Sequence, residues 1–144
     1  MHQSLYERDV VLYADDDPDD REMLKAAFLP YTLLELRTFI DGLDLLSHVD
    51  WLAGKNIIPC LILLDINMPM LSAWQVLRKL RTLPATKDIH VLFLTNFTLK
   101  KGEGASLYGE VTIITKPAGL AEVENLVKTI ISQCPKPLQE KFRL

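Results

Sequence analysis

The chain has 144 residues, of which 49% are hydrophobic and 24% are charged. This length suits one domain and the composition is that of a globular protein, so disordered and fibrous classes are excluded. The 16 Lys and Arg residues against 19 Asp and Glu residues give a formal net charge of -3, which disfavours nucleic-acid binding through a basic surface. Residues 1–9 lack the apolar run of a signal peptide, and no apolar stretch is long enough for a membrane span. We therefore expect a cytoplasmic protein with no nucleic-acid or membrane partner.

Apolar runs of strand length alternate with amphipathic segments of helix length along the chain. Strands are predicted at Val10–Ala14, Leu34–Ile40, Cys60–Leu64, His90–Thr95 and Val111–Thr115. Helices are predicted at Pro18–Phe28 after Asp17, at Leu43–Leu52, around Trp74–Leu80, at Thr98–Tyr108 and at Leu120–Gln133. This alternation favours an α/β fold, in which a doubly wound five-stranded parallel sheet has helices on both faces. Residues 135–144 are expected to form a short polar tail after a single domain of residues 1–134.

Polar side chains that could take part in metal binding or catalysis follow the predicted strands, at the points where those strands end. Asp15–Asp17 follow the first strand, Asp65 the third, Thr95 ends the fourth and Lys116 follows the fifth. The carboxyl ends of parallel strands lie at one edge of the sheet, which is where ligands bind in doubly wound folds. Clustered carboxylates need a cation, and their hard oxygen atoms suit Mg²⁺. A hydroxyl and an ammonium group beside them can hold a phosphoryl group, so the pattern indicates a phosphoryl-transfer site.

Each of these residues also has a purely structural interpretation. Acidic residues between a strand and a helix are usually caps and solvated turn residues. A threonine at a strand end is usually structural, and a lysine before a proline is usually solvated. The coincidence of all of them at the same ends of successive strands favours the chemical interpretation.

Four motifs in this order resemble those of the receiver domain of bacterial response regulators. They are Leu12-Tyr13-Ala14-Asp15-Asp16-Asp17, Leu63-Leu64-Asp65-Ile66-Asn67-Met68-Pro69, Leu94-Thr95 and Thr115-Lys116-Pro117. The resemblance covers about residues 9–133 and is closest to single-domain, chemotaxis-regulator-like members. It implies a flavodoxin-like three-layer sandwich with strand order 2-1-3-4-5, placing a receiver domain at residues 1–134.

The resemblance also implies roles for the residues at the strand ends. Asp65 would be the phosphoacceptor and one of the ligands of Mg²⁺. Asp16 and the backbone carbonyl of Asn67 would ligate the ion directly, and Asp15 would act mainly through water. Asp65 would therefore be phosphorylated only in the presence of the ion.

The resemblance also assigns roles to Thr95 and Lys116 and an isomer to the peptide bond after Lys116. Thr95 would be the switch hydroxyl, and Lys116 would pair with the phosphoryl group. The Lys116–Pro117 peptide bond is expected to be cis, an isomer that proline makes accessible.

The chain departs from the family pattern at several positions. Asn96 is larger than the usual residue after the switch threonine, and we expect its bulk to narrow access to Asp65. Ile113 stands at the switch position where an aromatic ring is common, so the readout must differ. Ala73 replaces a usual glycine, which requires that the backbone there avoid positive φ.

The lifetime of the phosphorylated state depends in this family on the positions occupied here by Asn67 and Phe97. Asn67 can hold a water by hydrogen bonding, whereas Phe97 has no polar group for this. We therefore expect slow autodephosphorylation, against the alternative that Phe97 simply packs in the core or on the surface.

The implied phosphodonors are a histidine kinase or a histidine phosphotransfer protein. The output would be the binding of a downstream protein to the surface at 98–133, formed by the predicted fourth helix, fifth strand and fifth helix. A homodimer through the same face is also compatible with the resemblance. Apart from assisting its own phosphorylation and dephosphorylation, the protein is not expected to be an enzyme.

Two alternatives remain open from the residues alone. A haloacid-dehalogenase-like phosphatase would use Asp15 as nucleophile and Asp17 as acid–base, but it would leave Asp65 without a role and lacks a later acidic motif. A receiver-like module that binds partners without phosphorylation is favoured by Asn96 and Ile113. Its weakness is that all the phosphorylation-site side chains are retained.

Overall fold

Five strands and four helices alternate along the residues described in this computed structural model, which are 9–96, 111–117 and 119–132. The strands are β1 (Asp9–Ala14), β2 (Leu34–Phe39), β3 (Leu61–Asp65), β4 (Val91–Thr95) and β5 (Thr112–Thr115). The helices are α1 (Pro18–Phe28), α2 (Gly42–Gly54), α3 (Ala73–Thr82) and α4 (Leu120–Ser132). The helix predicted at residues 98–108 and the tail at residues 135–144 lie outside the described residues. No helix in the described ranges has the length and apolar character needed to cross a bilayer.

All five strands are parallel and lie in the order β2-β1-β3-β4-β5, which confirms the predicted order. The central strands β3 and β4 are buried along their whole length, as expected for apolar strands covered on both faces. The edge strands β2 and β5 are mainly half-buried. After β1 the chain crosses to β2 on one side, and after β2 it crosses back over β1 to β3 on the other side. A crevice therefore opens above the carboxyl ends of β1 and β3.

The core has one layer on each face of the sheet, because successive strand residues point to opposite faces. Leu12 and Ala14 pack with the buried face of α2 and α3. Val11 and Tyr13 pack with the buried residues of α1 and α4. The molecule is therefore the predicted flavodoxin-like three-layer sandwich.

The helix starts are set by side-chain caps. Asp17 caps α1 by accepting a hydrogen bond from the Asp19 N–H at 2.8 Å, and Pro18 takes the first helical position, as predicted. Ser72 caps α3 in a reciprocal pair with Gln75. These two caps fix where α1 and α3 begin.

Candidate functional site

Three carboxylates meet at the carboxyl ends of β1 and β3. Ala14 pairs with Leu64 across these strands, so the residues that follow, Asp15 and Asp65, lie side by side. One carboxylate oxygen from each of Asp15, Asp16 and Asp65 lies within 4.8 Å of the others. Asp15 is 0% and Asp65 5% exposed, whereas Asp16 is exposed. The predicted acidic cluster is therefore assembled by the sheet register, with one member open to solvent.

The buried carboxylate of Asp15 accepts three hydrogen bonds. Its Oδ1 accepts from the Asp17 N–H at 3.0 Å. Its Oδ2 accepts from the Tyr13 hydroxyl at 2.5 Å and from Lys116 Nζ at 2.6 Å. Burial and the charge of Asp15 raise the pKa of Tyr13, which therefore stays a proton donor. Sequence reasoning did not identify Tyr13, although residues two apart on a strand share a face.

The ammonium group of Lys116 pairs with three carboxylates. Nζ lies 2.6 Å from Asp15 Oδ2, 2.8 Å from Asp20 Oδ2 and 3.4 Å from Asp65 Oδ1. Burial alone lowers the pKa of Lys116, but its hydrogen bonds to Asp15 and Asp20 outweigh burial and raise the pKa. Asp20 was also not identified as a site residue. The available signal was its place three residues after the cap Asp17, in the first turn of α1.

The carboxylate of Asp65 carries an unfavourable charge. Burial and the neighbouring charge of Asp15 raise its pKa, while Lys116 and the backbone N–H of Asn67 act in the opposite direction. The Asn67 side chain is exposed in the turn after β3. Protonation of Asp65 or binding of a cation would relieve this repulsion.

The donor set fits a hard divalent cation. In the described part of the chain, Lys116 is the cation that pairs with these carboxylates. The nearby Arg21 donates its hydrogen bond to the backbone carbonyl of Asp15, at 2.7 Å, and not to a carboxylate. The cluster of Asp15, Asp16 and Asp65 thus has more negative than positive charge. Carboxylate oxygens in this arrangement are the ligands that Mg²⁺ and Mn²⁺ prefer.

Thr95 lies at the same edge, at the end of β4. It is 1% exposed, and its backbone carbonyl accepts a hydrogen bond from the Lys116 N–H at 2.7 Å. Asn96 is exposed, and Ile113 is half-buried against the core. Phe97, predicted to influence dephosphorylation, lies outside the described residues. The structure therefore brings Asp15, Asp16, Asp65, Thr95 and Lys116 to one edge, as the strand-end pattern predicts.

The expectation of a cis Lys116–Pro117 bond is wrong for this structure. No peptide bond in the described ranges is cis, so this bond is trans. Trans is the intrinsically preferred isomer, by about 0.5–1 kcal/mol for a bond before proline. With this backbone, Lys116 still reaches the carboxylates of the site.

The backbone at Ala73 avoids positive φ, as the replacement of glycine requires. Ala73 is the buried first residue of α3, and it is not among the residues with positive φ. The left-handed conformation in this turn falls on Met70, whose φ is 66°. Ala73 therefore replaces glycine without backbone strain.

Comparison with known proteins relates this site to signalling domains. The chain matches the family described as "Response regulator receiver domain" over residues 11–128. It is 28% identical over 125 residues to the sensor histidine kinase CheAY of Helicobacter pylori, a match that covers 85% of this chain and 15% of that protein. The chain thus spans a small part of that relative's length.

Solved structures agree with the family match. A phosphorylated cyanobacterial phytochrome response regulator, RcpA, superposes with a TM-score of 0.73 at 25% identity, covering 85% of this chain and 91% of that one. The Mn²⁺-bound form of the response regulator Rcp1 gives a TM-score of 0.69 at 28% identity, covering 86% and 92%. Since the family match spans most of the chain and the fold agrees, this chain belongs to the response regulator receiver domains of two-component signalling.

Proposed function

We propose that Asp65 accepts a phosphoryl group from a phosphohistidine of a histidine kinase or histidine phosphotransfer protein, and that this switches the binding of a downstream protein. The observation that carries the proposal is the position of Asp65. It is a buried carboxylate that forms an acidic cluster with Asp15 and Asp16, and it lies 3.4 Å from the Lys116 ammonium group at the crevice of a receiver fold.

The transfer is an in-line displacement at phosphorus. A carboxylate oxygen of Asp65 forms the new P–O bond while the P–N bond of the phosphohistidine breaks, and the electron pair passes to the imidazole nitrogen of the donor. The Lys116 ammonium pairs with the negative oxygens of the phosphoryl group, and the Thr95 hydroxyl donates a hydrogen bond to one of them. These residues position and neutralise the group, so the protein assists its own phosphorylation without being an enzyme on other substrates.

The residues proposed to hold Mg²⁺ are Asp15, Asp16, Asp65 and the backbone carbonyl of Asn67. When bound, the ion supplies positive charge to the carboxylates and to the phosphoryl oxygens. The acidic cluster supports this assignment, and so does the Mn²⁺ bound in the similar regulator Rcp1. Because Asp15 already accepts hydrogen bonds from Tyr13 and Lys116, we assign Asp16 the direct contact.

We further propose that the output passes through Thr95 and the surface containing residues 98–133. Ile113 occupies the switch position on β5 and packs against the core, so an aromatic ring cannot report the state of Thr95 there. The same surface is the proposed face for a homodimer.

Acetyl phosphate with Mg²⁺ tests the proposal. Mass spectrometry should find one phosphoryl group on Asp65 in the wild type, and Asp65→Asn or EDTA should abolish it. Labelling at Asp15 would contradict the proposal and favour phosphatase chemistry. A folded protein that stays unlabelled with Mg²⁺ present would favour a module that binds partners without phosphorylation.

A further inference from the structure

The Lys116 ammonium group lies closer to two other carboxylates than to the proposed phosphoacceptor. Its distances to Asp15 and Asp20 are 2.6 and 2.8 Å, both hydrogen bonds, whereas Asp65 is 3.4 Å away. An ammonium group has three N–H donors, and the two shortest contacts fix the direction of two of them. Asp15 and Asp20 therefore set the resting position of Lys116.

Asp15 and Asp20, the two hydrogen-bond partners of Lys116, differ in their other contacts. Asp15 is buried, belongs to the three-carboxylate cluster and also accepts hydrogen bonds from Tyr13 and from the backbone. Asp20 lies outside that cluster, and in the described ranges its side chain is hydrogen-bonded to Lys116 alone. The hydrogen bond that joins Asp20 to the site is therefore the one to the lysine.

We infer that Asp20 is a positioning residue that holds the Lys116 ammonium on the α1 side of the site and competes with a phosphoryl group on Asp65 for it. This inference rests on the proposed function of Asp65. A phosphoryl group adds negative charge at Asp65 and attracts Lys116, while the carboxylate of Asp20 opposes that movement. The Asp20 side chain is 22% exposed, so water can solvate it when the lysine leaves. Asp20 therefore lowers the affinity of the site for a phosphoryl group.

Asp20→Asn tests the inference, because it keeps the size of the side chain and removes its charge. Asp19→Asn is the matched control, since it removes the same charge from the neighbouring exposed position of α1, where the described side chain has no bond to Lys116. Beryllofluoride with Mg²⁺, a phosphoryl mimic, is titrated into each protein. We expect about two- to fivefold tighter binding by Asp20→Asn than by Asp19→Asn, from the usual strength of a partly exposed ion pair. Asp20→Glu, which keeps the charge, should bind like the wild type.

A second measurement does not depend on phosphoryl binding. In the metal-free protein, the ¹⁵N resonance of the Lys116 ammonium should shift in Asp20→Asn and stay unchanged in Asp19→Asn. Equal beryllofluoride affinities of these two variants, or an unshifted resonance, would overturn the inference. Asp20→Ser provides a second uncharged variant and must agree with Asp20→Asn.

Failure of the inference can be told apart from failure of the proposed function. If the wild type neither binds beryllofluoride nor is labelled at Asp65, the proposed function fails and the inference fails with it. If the wild type is labelled and binds the mimic, but Asp20→Asn behaves like Asp19→Asn, the role of Asp20 alone is refuted.

Discussion

Asp65 is a residue whose charge opposes folding. Burial and the charge of Asp15 raise its pKa above that of the unfolded chain. A raised carboxyl pKa contributes stability below the unfolded pKa, near 4, and that stability is lost as the pH rises through the folded pKa. Removing the charge should therefore stabilise the metal-free protein at neutral pH.

Asp65→Asn should raise the melting temperature by a few degrees at pH 7 in EDTA, and by less at pH 4. About 1 kcal/mol corresponds to roughly 2–4 °C for a domain of this size. Thermal denaturation followed by circular dichroism measures the difference at both pH values. Asp19→Asn, at an exposed position, serves as the control. A lower melting temperature for Asp65→Asn at pH 7 would contradict the account of its charge.

Tyr13 is the second residue whose effect on stability follows from the geometry of the site. Tyr13→Phe removes a donor from the buried carboxylate of Asp15 while keeping the ring in the core. We expect a loss of about 1.5–3 kcal/mol, the usual contribution of a hydrogen bond to a charged group. Urea denaturation measures the loss, and a double-mutant cycle with Asp15→Asn separates it from packing. An absence of coupling between the two substitutions would refute the interpretation.

The Phe97 position should govern the lifetime of the phosphorylated state. Asn67 is exposed beside Asp65 and can hold a water, but phenylalanine two residues after Thr95 offers no hydrogen bond to a second water site. Phe97→Glu should therefore lose its phosphoryl group several-fold faster than the wild type at matched pH and Mg²⁺. Phe97→Leu, which stays apolar, should decay like the wild type. Equal decay in Phe97→Glu and Phe97→Leu would remove the basis for slow autodephosphorylation.

The sequence indicated some site residues and not others for a physical reason. Asp65, Thr95 and Lys116 end or follow apolar runs, and the parallel sheet brings such ends together, so their place could be predicted. Tyr13 lies within a strand and Asp20 within a helix, and each contacts the site only because its side chain extends to it. That reach depends on rotamers and helix orientation, which apolar periodicity does not determine.

At the scale of elements, the close approach of α2 to α3 depends on a glycine. A Cβ atom at Gly42 would lie 2.5 Å from Val76 Cγ2, whereas one at Gly54, the last residue of α2, would meet no atom within 4 Å. Gly42→Ala should destabilise the protein by about 1–3 kcal/mol through overpacking. Gly54→Ala should leave the stability unchanged or slightly higher. Chemical denaturation of both variants checks this, and equal stabilities would show that α2 shifts to make room.

Element types were predicted better than element ends. The prediction placed the third strand at Cys60–Leu64, whereas β3 spans Leu61–Asp65, and the second strand ran one residue too far. Fully apolar runs specify a buried strand but do not specify where its ladder of hydrogen bonds stops. The start of α1 was predicted because Asp17 and Pro18 are a cap and a first-turn residue. The reciprocal cap of Ser72 and Gln75 at α3 was overlooked.

At the scale of the molecule, binding of Mg²⁺ should be linked to folding, because the proposed ligands come together only in the folded sheet. Mg²⁺ at about a hundred times its dissociation constant should stabilise the wild type by about 2.7 kcal/mol. Asp16→Ala should reduce this gain more than Asp15→Ala, since the exposed Asp16 carboxylate is the proposed direct ligand. Melting curves with and without the ion provide the measurement. An equal gain in Asp16→Ala and in the wild type would exclude Asp16 as a ligand.

Asp15 and Lys116 are 101 positions apart in the chain, yet they form the shortest ion pair of the site. During synthesis on the ribosome, the three clustered carboxylates emerge well before the lysine that neutralises them. A nascent chain that ends before β5 therefore carries the repulsion of the site without its counter-charge and without one edge of the sheet. The edge that carries the proposed phosphoacceptor is therefore complete only after β5 and Lys116 have been translated.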